Sequence, residues 1–381
     1  ESLRQHAHRK EYMPVRGLAE LRTAVAEFHR RRAGLPWHCE ADDVLVAPGS
    51  KELMFLVQLA FYGDLLLPSP SWVSYSPQAQ IIGRQVNFLP TRAEHRWMLR
   101  PDTLDMHCRR DRGRPRILIL NYPSNPTGQT FSADELAALA VVAREHQLIV
   151  ISDEIYGELH HEGAHRSIAE FYPEGTILSS GLSKWCGAGG WRLGTFLFPP
   201  QLRWLRDAMT AVASETYTTT SAPIQCAAVT AFACGPEIDE YLVGARQILG
   251  ALGTWSSQQL LATGILCHRP EGGFYLFPDF ASHAPRLRER GIADGEALCE
   301  RLLAETGVAI LPGCDFGRPR GDWTARLAYV DFEGEPALAE RAREPGATLD
   351  EAWLRRMTPR VTTAIDRICE WLGAGAGKTI R

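Results

Sequence analysis

Two rhythms of apolar positions alternate along this chain. Short unbroken runs read as buried strands: VLVAP at 44–48, LLLPSP at 65–70, RILIL at 116–120, LIVIS at 148–152, TILSS at 176–180 and TFLF at 195–198. Between them lie longer stretches with helical spacing. In GLAELRTAVAEFHRRR (17–32), Leu18, Leu21, Val25 and Phe28 share a face, and the apolar KELMFLVQLAF follows Gly49-Ser50. Ser132 and Glu135 form a capping box ahead of Leu136, Leu139, Ala140 and Ala143, which marks another helix start. Strands alternating with helices predict an α/β fold with a mostly parallel, doubly wound sheet.

Beyond residue 200 the rhythm changes. Residues 200–262 read as largely helical, punctuated by Pro223 and Cys234-Gly235-Pro236. After Glu271-Gly272-Gly273, FYLFP opens a second α/β layer that ends in the helix TPRVTTAIDRICEWL. The division is expected near 240–260, giving a large domain over 1–250 and a smaller C-terminal α/β domain over 251–381. The tail GAGAGKTIR reads as frayed.

Composition narrows the function. At 381 residues the chain is long enough for two domains and a large core. Its 41 basic and 45 acidic residues give a net charge of −4, which argues against a nucleic-acid or anionic-membrane binder. Nine cysteines without a C-x-x-C pair read as reduced thiols in a cytoplasmic setting. No apolar run approaches the roughly 18 residues of a membrane span. The chain opens ESLRQHAHRKEYMP, without an initiator methionine, so a natural segment ahead of Glu1 is expected.

In open α/β sheets, ligands bind beyond the carboxyl ends of the strands, so the residues standing there carry the chemistry. They are Gly49-Ser50-Lys51, then Pro70-Ser71-Trp72, then Asn125-Pro126-Thr127-Gly128, then Asp153 with Tyr156, then Ser183-Lys184. An anion cradle, a flat aromatic, an amide, a carboxylate with a phenol, and a lysine suit a phosphorylated, planar, aromatic aldehyde. Gly49, Ser50 and Lys51 open a helix whose free N–H groups can take phosphate, although Ser50 could equally be a plain N-cap. Asp153 ends an apolar strand, where an unpaired carboxylate is costly; a helix N-cap is its alternative role. Lys184, in apolar and Gly-rich surroundings, should have its charge disfavoured, unless it is an ordinary surface lysine.

These residues resemble a known family. N-P-T-G, then D-E-x-Y, then S-K followed by G-W-R-L-G stand in the order and at the distances of the class I/II aminotransferases of the fold type I pyridoxal-phosphate enzymes. The resemblance runs from Tyr12 to about Arg326. It implies pyridoxal 5'-phosphate as cofactor, held by a Schiff base to Lys184, with the freed amine moving a proton. It implies Asp153 at the pyridinium nitrogen, Tyr156 and Asn125 on the ring oxygen, and Trp72 stacked on the ring unless it is core packing. Arg192 would join Gly49, Ser50, Lys51 and Ser183 around the phosphate. Arg326 would clamp the substrate α-carboxylate, alongside Asn125. Tyr12 would reach the phosphate of a neighbouring subunit, which implies a homodimer with shared sites. The substrates implied are an L-amino acid and a 2-oxo acid.

The chain also departs from that pattern. Gly181 stands three residues before the lysine, where the family usually has Ser or Thr on the phosphate; Ser180 or Ser183 could compensate. Gly181 and the GAGGW stretch keep open an elimination or cyclisation reaction on the same scaffold. A non-catalytic amino-acid sensor is a more distant alternative. His161-Glu162-x-x-His165 matches the zinc-protease motif H-E-x-x-H, but Gly163 and the loop-like context argue against the required helix. GAGAGKT near the end lacks the spacing of a P-loop.

Overall fold

The computed structural model describes residues 1–32, 34–35 and 38–373. The GAGAGKT run and the tail expected to fray lie, from residue 374 on, outside the described residues. Each short apolar run becomes a strand: β1 (Val44–Ala47), β2 (Asp64–Ser69), β4 (Arg116–Asn121), β5 (Ile149–Asp153), β6 (Thr176–Gly181) and β7 (Gly194–Leu197). Together with β3 (Val86–Pro90) they form one sheet in the order β1-β7-β6-β5-β4-β2-β3. The pairs β2–β3, β2–β4, β4–β5 and β5–β6 are parallel; β7 is antiparallel to both its neighbours. So β7 alone is reversed, and the other six strands all end on one edge.

The runs are apolar at consecutive positions because both faces of the sheet are covered. Leu65, Leu67, Ile117, Ile119, Ile149 and Ile151 pack on one side with Leu53, Met54 and Val57 of the helix Ser50–Ala60. Leu66, Leu118, Leu120 and Val150 pack on the other with Leu136, Leu139 and Ala140 of the helix Ala133–Glu145. That helix starts where the capping box predicts: Glu135 N–H donates to Ser132 Oγ at 3.2 Å, and Ser132 N–H to Glu135 Oε2 at 2.8 Å. β3 was not legible in the sequence, because as an edge strand only Leu89 of its five residues is buried. The helices Tyr75–Ile81 and Pro101–Arg109 were likewise unread.

The region after 200 is helical as expected, in Arg203–Glu215, Ala222–Ala233 and Pro236–Ala262. A second sheet, β8 (Tyr275–Leu276), β9 (Leu311–Pro312) and β10 (Ala325–Ala328), has the order β8-β10-β9 and is antiparallel throughout. The expected FYLFP strand is short, since Pro278 cannot continue the ladder. One hydrophobic cluster runs from Val44, Leu178 and Leu197 of the first sheet to Leu260, Leu327 and Trp371 of the C-terminal part. No disulfide joins any of the described cysteines, and no described helix is long and apolar enough to cross a membrane.

Candidate active site

The strand-end edge holds a cavity of about 390 Å³. Among the residues selected from the sequence, Ser50, Lys51, Trp72, Asn125, Asp153, Tyr156, Ser183, Lys184 and Arg192 line it; Asn121, Ile155 and Gly189 complete the lining. The reversal of β7 explains much of this convergence. Because Gly194 pairs with both Gly181 and Ala47, the connection 182–193 begins and ends on the same edge, and it carries Lys184 and Arg192 together.

At the anion end, Gly49 is the N-cap of the helix Ser50–Ala60 at φ 101°, a conformation that favours glycine. This corrects the reading of Ser50 as a plain N-cap: Ser50 is the first helical residue, and Ser50 and Lys51 of the first turn line the cavity. A Cβ at Gly49 would lie 2.0 Å from Arg192 Nη2, and one at Gly194 would lie 2.0 Å from Ser50 N. Arg192 is held by the carbonyls of Gly189 (2.8 Å) and Pro48 (3.2 Å). Gly181 has no space for a side chain either, because a Cβ there would meet the Leu193 carbonyl oxygen at 2.6 Å. Close pairing of β6 with β7 therefore demands glycine where the family pattern has a hydroxyl. Ser183 lines the cavity, whereas Ser180 is buried within β6.

At the opposite end sits Asp153, buried at the end of β5. Its Oδ2 accepts from the Tyr75 hydroxyl and its Oδ1 from Ser179 Oγ at 3.2 Å. Burial pushes the carboxyl up to about 6, against the pull of these two hydroxyls. Asn121, register partner of Asp153 across β4 and β5, donates to the Asp153 carbonyl at 2.9 Å and accepts from Asn125 N–H at 2.7 Å. Asn121 and Tyr75 were missed in the sequence. The signal for Asn121 was its position as the last residue of the RILIL strand, level with Asp153.

Between the two ends, Lys184 Nζ lies 5.6 Å from the Tyr156 ring centroid and 5.8 Å from that of Phe274. Burial lowers its pKa, Arg326 and Arg192 add to the effect, and Asp153 opposes it. The Tyr156 hydroxyl is 3.1 Å from that of Tyr275. Trp72 stands edge-on to Tyr75 at 5.1 Å, and Lys51 Nζ lies 5.1 Å from the Trp72 ring. Arg326 reaches in from β10, donates to Asn125 Oδ1 at 3.1 Å and is flanked by the rings of Tyr275 and Phe316. Its Nε is buried without a hydrogen-bond partner. Tyr12 is 86% exposed and does not line the cavity.

The remaining basic side chains, Cys186 and the two histidines of the H-E-x-x-H match lie elsewhere. Arg16 pairs with Asp42 and Arg318 with Asp322, while Arg320 is exposed. Burial pushes the Cys186 thiol up to about 12, which rules out a ready nucleophile. His161 and His165 are not on a helix: His161 faces two backbone carbonyls, and His165 lies 3.0 Å from Glu154.

The family description "Aminotransferase class I and II" matches residues 2–329. The chain belongs to the class I and II aminotransferases. It is 32% identical over 327 residues to the aspartate aminotransferase of Bacillus subtilis, covering 84% of this chain and 79% of that protein. It is likewise 32% identical over 325 residues to the aspartate/prephenate aminotransferase of Thermus thermophilus, with the same coverages. Among solved structures, an aspartate aminotransferase from Thermus thermophilus with maleate superimposes with a TM-score of 0.78 at 31% identity, covering 90% of this chain and 86% of that one. An aromatic aminotransferase from Pyrococcus horikoshii gives 0.80 at 26% identity, over 98% and 91% of the two chains. The protein is thus a pyridoxal-phosphate-dependent aminotransferase with the fold expected from its sequence. The relatives named are aminotransferases, and elimination or cyclisation finds no support among them.

Proposed function

We propose that this aminotransferase holds its cofactor through Lys184 and moves the amino group of an L-amino acid to a 2-oxo acid in the 390 Å³ cavity. The observation that carries the assignment is one cavity with a cation-rich helix start at one end, a buried carboxylate at the other and a lysine of depressed pKa between. The donor set fits pyridoxal phosphate. The first-turn N–H groups of Ser50 and Lys51, with Arg192 and the Ser183 hydroxyl, would hold the phosphate, and Gly49 leaves the room they need. Asp153 would pair with the ring nitrogen, an interaction that offsets its burial. Tyr156 and Asn125 would hold the ring oxygen, and Trp72 would cover the ring face.

When bound, the cofactor supplies an aldehyde carbon that takes the amino group and a protonated ring that accepts electron density. The chain's residues do the rest. The unpaired Nε of Arg326 marks where the substrate α-carboxylate would be clamped, and Asn125 steadies that arginine. Lys184 Nζ, kept uncharged more readily than an exposed lysine, would take the proton from the substrate α-carbon and hold it for return during the transfer.

The wider reading is a homodimer in the cytoplasm, in which Tyr12 of one copy completes the phosphate site of the other, with a large domain over 1–250 and a small one over 251–381. The name carried by the Bacillus relative makes aspartate the first donor to try. Borohydride reduction followed by peptide mapping should fix the cofactor's mass on Lys184. Lys184→Ala should keep the fold and lose about 10²–10⁴-fold or more in turnover. A cofactor trapped on another lysine, or full activity in that variant, would overturn the assignment.

A further inference from the structure

His161, set aside as a metal ligand, occupies a more informative place. Its Nδ1 lies 3.1 Å from the Pro270 carbonyl oxygen and its Nε2 lies 3.0 Å from that of Gly273. Carbonyl oxygens only accept, and a neutral imidazole has a single N–H. Both contacts are hydrogen bonds only when the ring carries both protons. The ring therefore spans the turn 270–273 and can tie both its ends at once.

That turn is built into the site. Its Glu271 and Gly272 N–H groups donate to the Gly128 carbonyl, at 2.8 and 3.1 Å, in the loop that carries Asn125. On its other side, His161 N–H donates to the Glu271 carbonyl at 2.8 Å, and Gly273 N–H to the Leu159 carbonyl at 3.0 Å. The next residues, Phe274 and Tyr275, face Lys184, Tyr156 and Arg326.

We propose that His161 is a positioning residue: as an imidazolium it fastens both ends of the 270–273 turn and so seats Phe274 and Tyr275 where the amino-acid substrate is bound. Loss of the ring's second proton frees one end. The tie is then strongest on the acid side and loosens as pH rises through the His161 titration. Its pKa is lowered from the ordinary imidazole value, because burial, with Arg269, outweighs the two carbonyls and Glu162, which raise it. His160 is another titrating neighbour, and the long helix Pro236–Ala262 presents Gly250 to the ring and, one turn earlier, Arg246, which pairs with Glu158 at 3.1 Å. The Tyr329 hydroxyl shares the Gly273 carbonyl at 3.4 Å, so that end keeps a partner when the ring lets go. The substrate half of this inference rests on the aminotransferase site proposed above; the ring's protonation does not.

Histidine-selective ¹⁵N labelling tests it, with His161→Gln, or His161→Asn if that variant does not fold, identifying the signal by its absence. Both ring nitrogens of His161 should be protonated at the acid end of the folded range, one losing its proton as pH rises. In the cofactor-loaded enzyme, KM for the amino donor should rise roughly two- to tenfold across that same titration, the weight of one hydrogen bond, with kcat little changed. In the Gln variant KM should be raised at every pH and lack that step. A His161 with a single ring proton at every pH, or a variant with the wild-type KM profile, would overturn the proposal. The nitrogen signals are independent of turnover, so failure of the Lys184 assignment would leave them unchanged.

Discussion

If Asp153 pairs with the cofactor ring as proposed, it should have opposite effects on the protein with and without cofactor. Burial lifts its carboxyl from 3.8 to about 6, although the hydroxyls of Tyr75 and Ser179 both stabilise the charged form. The folded value lies above the unfolded one, so in the cofactor-free chain the neutral carboxyl contributes stability at low pH, lost as pH rises through about 6. Between about pH 4 and pH 7, cofactor-free wild type should lose on the order of 3 kcal/mol relative to Asp153→Asn. Urea unfolding of both proteins across that range checks it, and a constant difference would contradict it. Binding the cofactor should reverse the ranking, because a ring cation then pairs with the carboxylate that Asn lacks.

At the scale of the element, the β6–β7 hairpin carries four of the residues that line the cavity, Ser183, Lys184, Gly189 and Arg192, on one connection. Its two glycines, Gly181 and Gly194, pair with each other, and neither has room for a methyl group. Gly194→Ala would push against the backbone of Ser50, at 2.0 Å. It should cost about 1–3 kcal/mol of stability and weaken cofactor binding more than tenfold by displacing the first-turn N–H groups. Thermal unfolding with cofactor titration checks both, and unimpaired binding would mean that the helix start is not the anion site. Six of the seven strands of the main sheet were legible, because runs buried on both faces are apolar without interruption. β3 was not, since an edge strand with one buried residue leaves no such run. The strand ends led to eight of the cavity residues, and the family resemblance added Arg192. Asn121 and Tyr75 escaped because their partners are set by register and by a fold-back of the chain, which local pattern does not encode. The hydroxyl missing at Gly181 looked like a weakness in the sequence; the packing of β6 against β7 is its cause.

At the scale of the whole molecule, Tyr12 stands exposed and outside the cavity of its own chain, while the proposed dimer brings it to a second site. Tyr12→Phe should weaken cofactor binding about tenfold through one lost phosphate contact. Mixing it with Lys184→Ala gives a sharper test. In a hybrid dimer, one site would have Lys184 from the first chain and Tyr12 from the second, so at a cofactor concentration too low to fill Tyr12→Phe sites, activity should recover to about a quarter of wild type if subunits exchange at random. No recovery after exchange would mean that sites are not shared. The reversed strand has one further consequence. The amine of Lys184 and the guanidinium of Arg192 hang from a single connection whose two ends are pinned to the same sheet edge. On the site proposed above, the sheet edge would set the gap between aldehyde and phosphate in the cofactor, so a bent or lengthened phosphate arm should be rejected by that one connection.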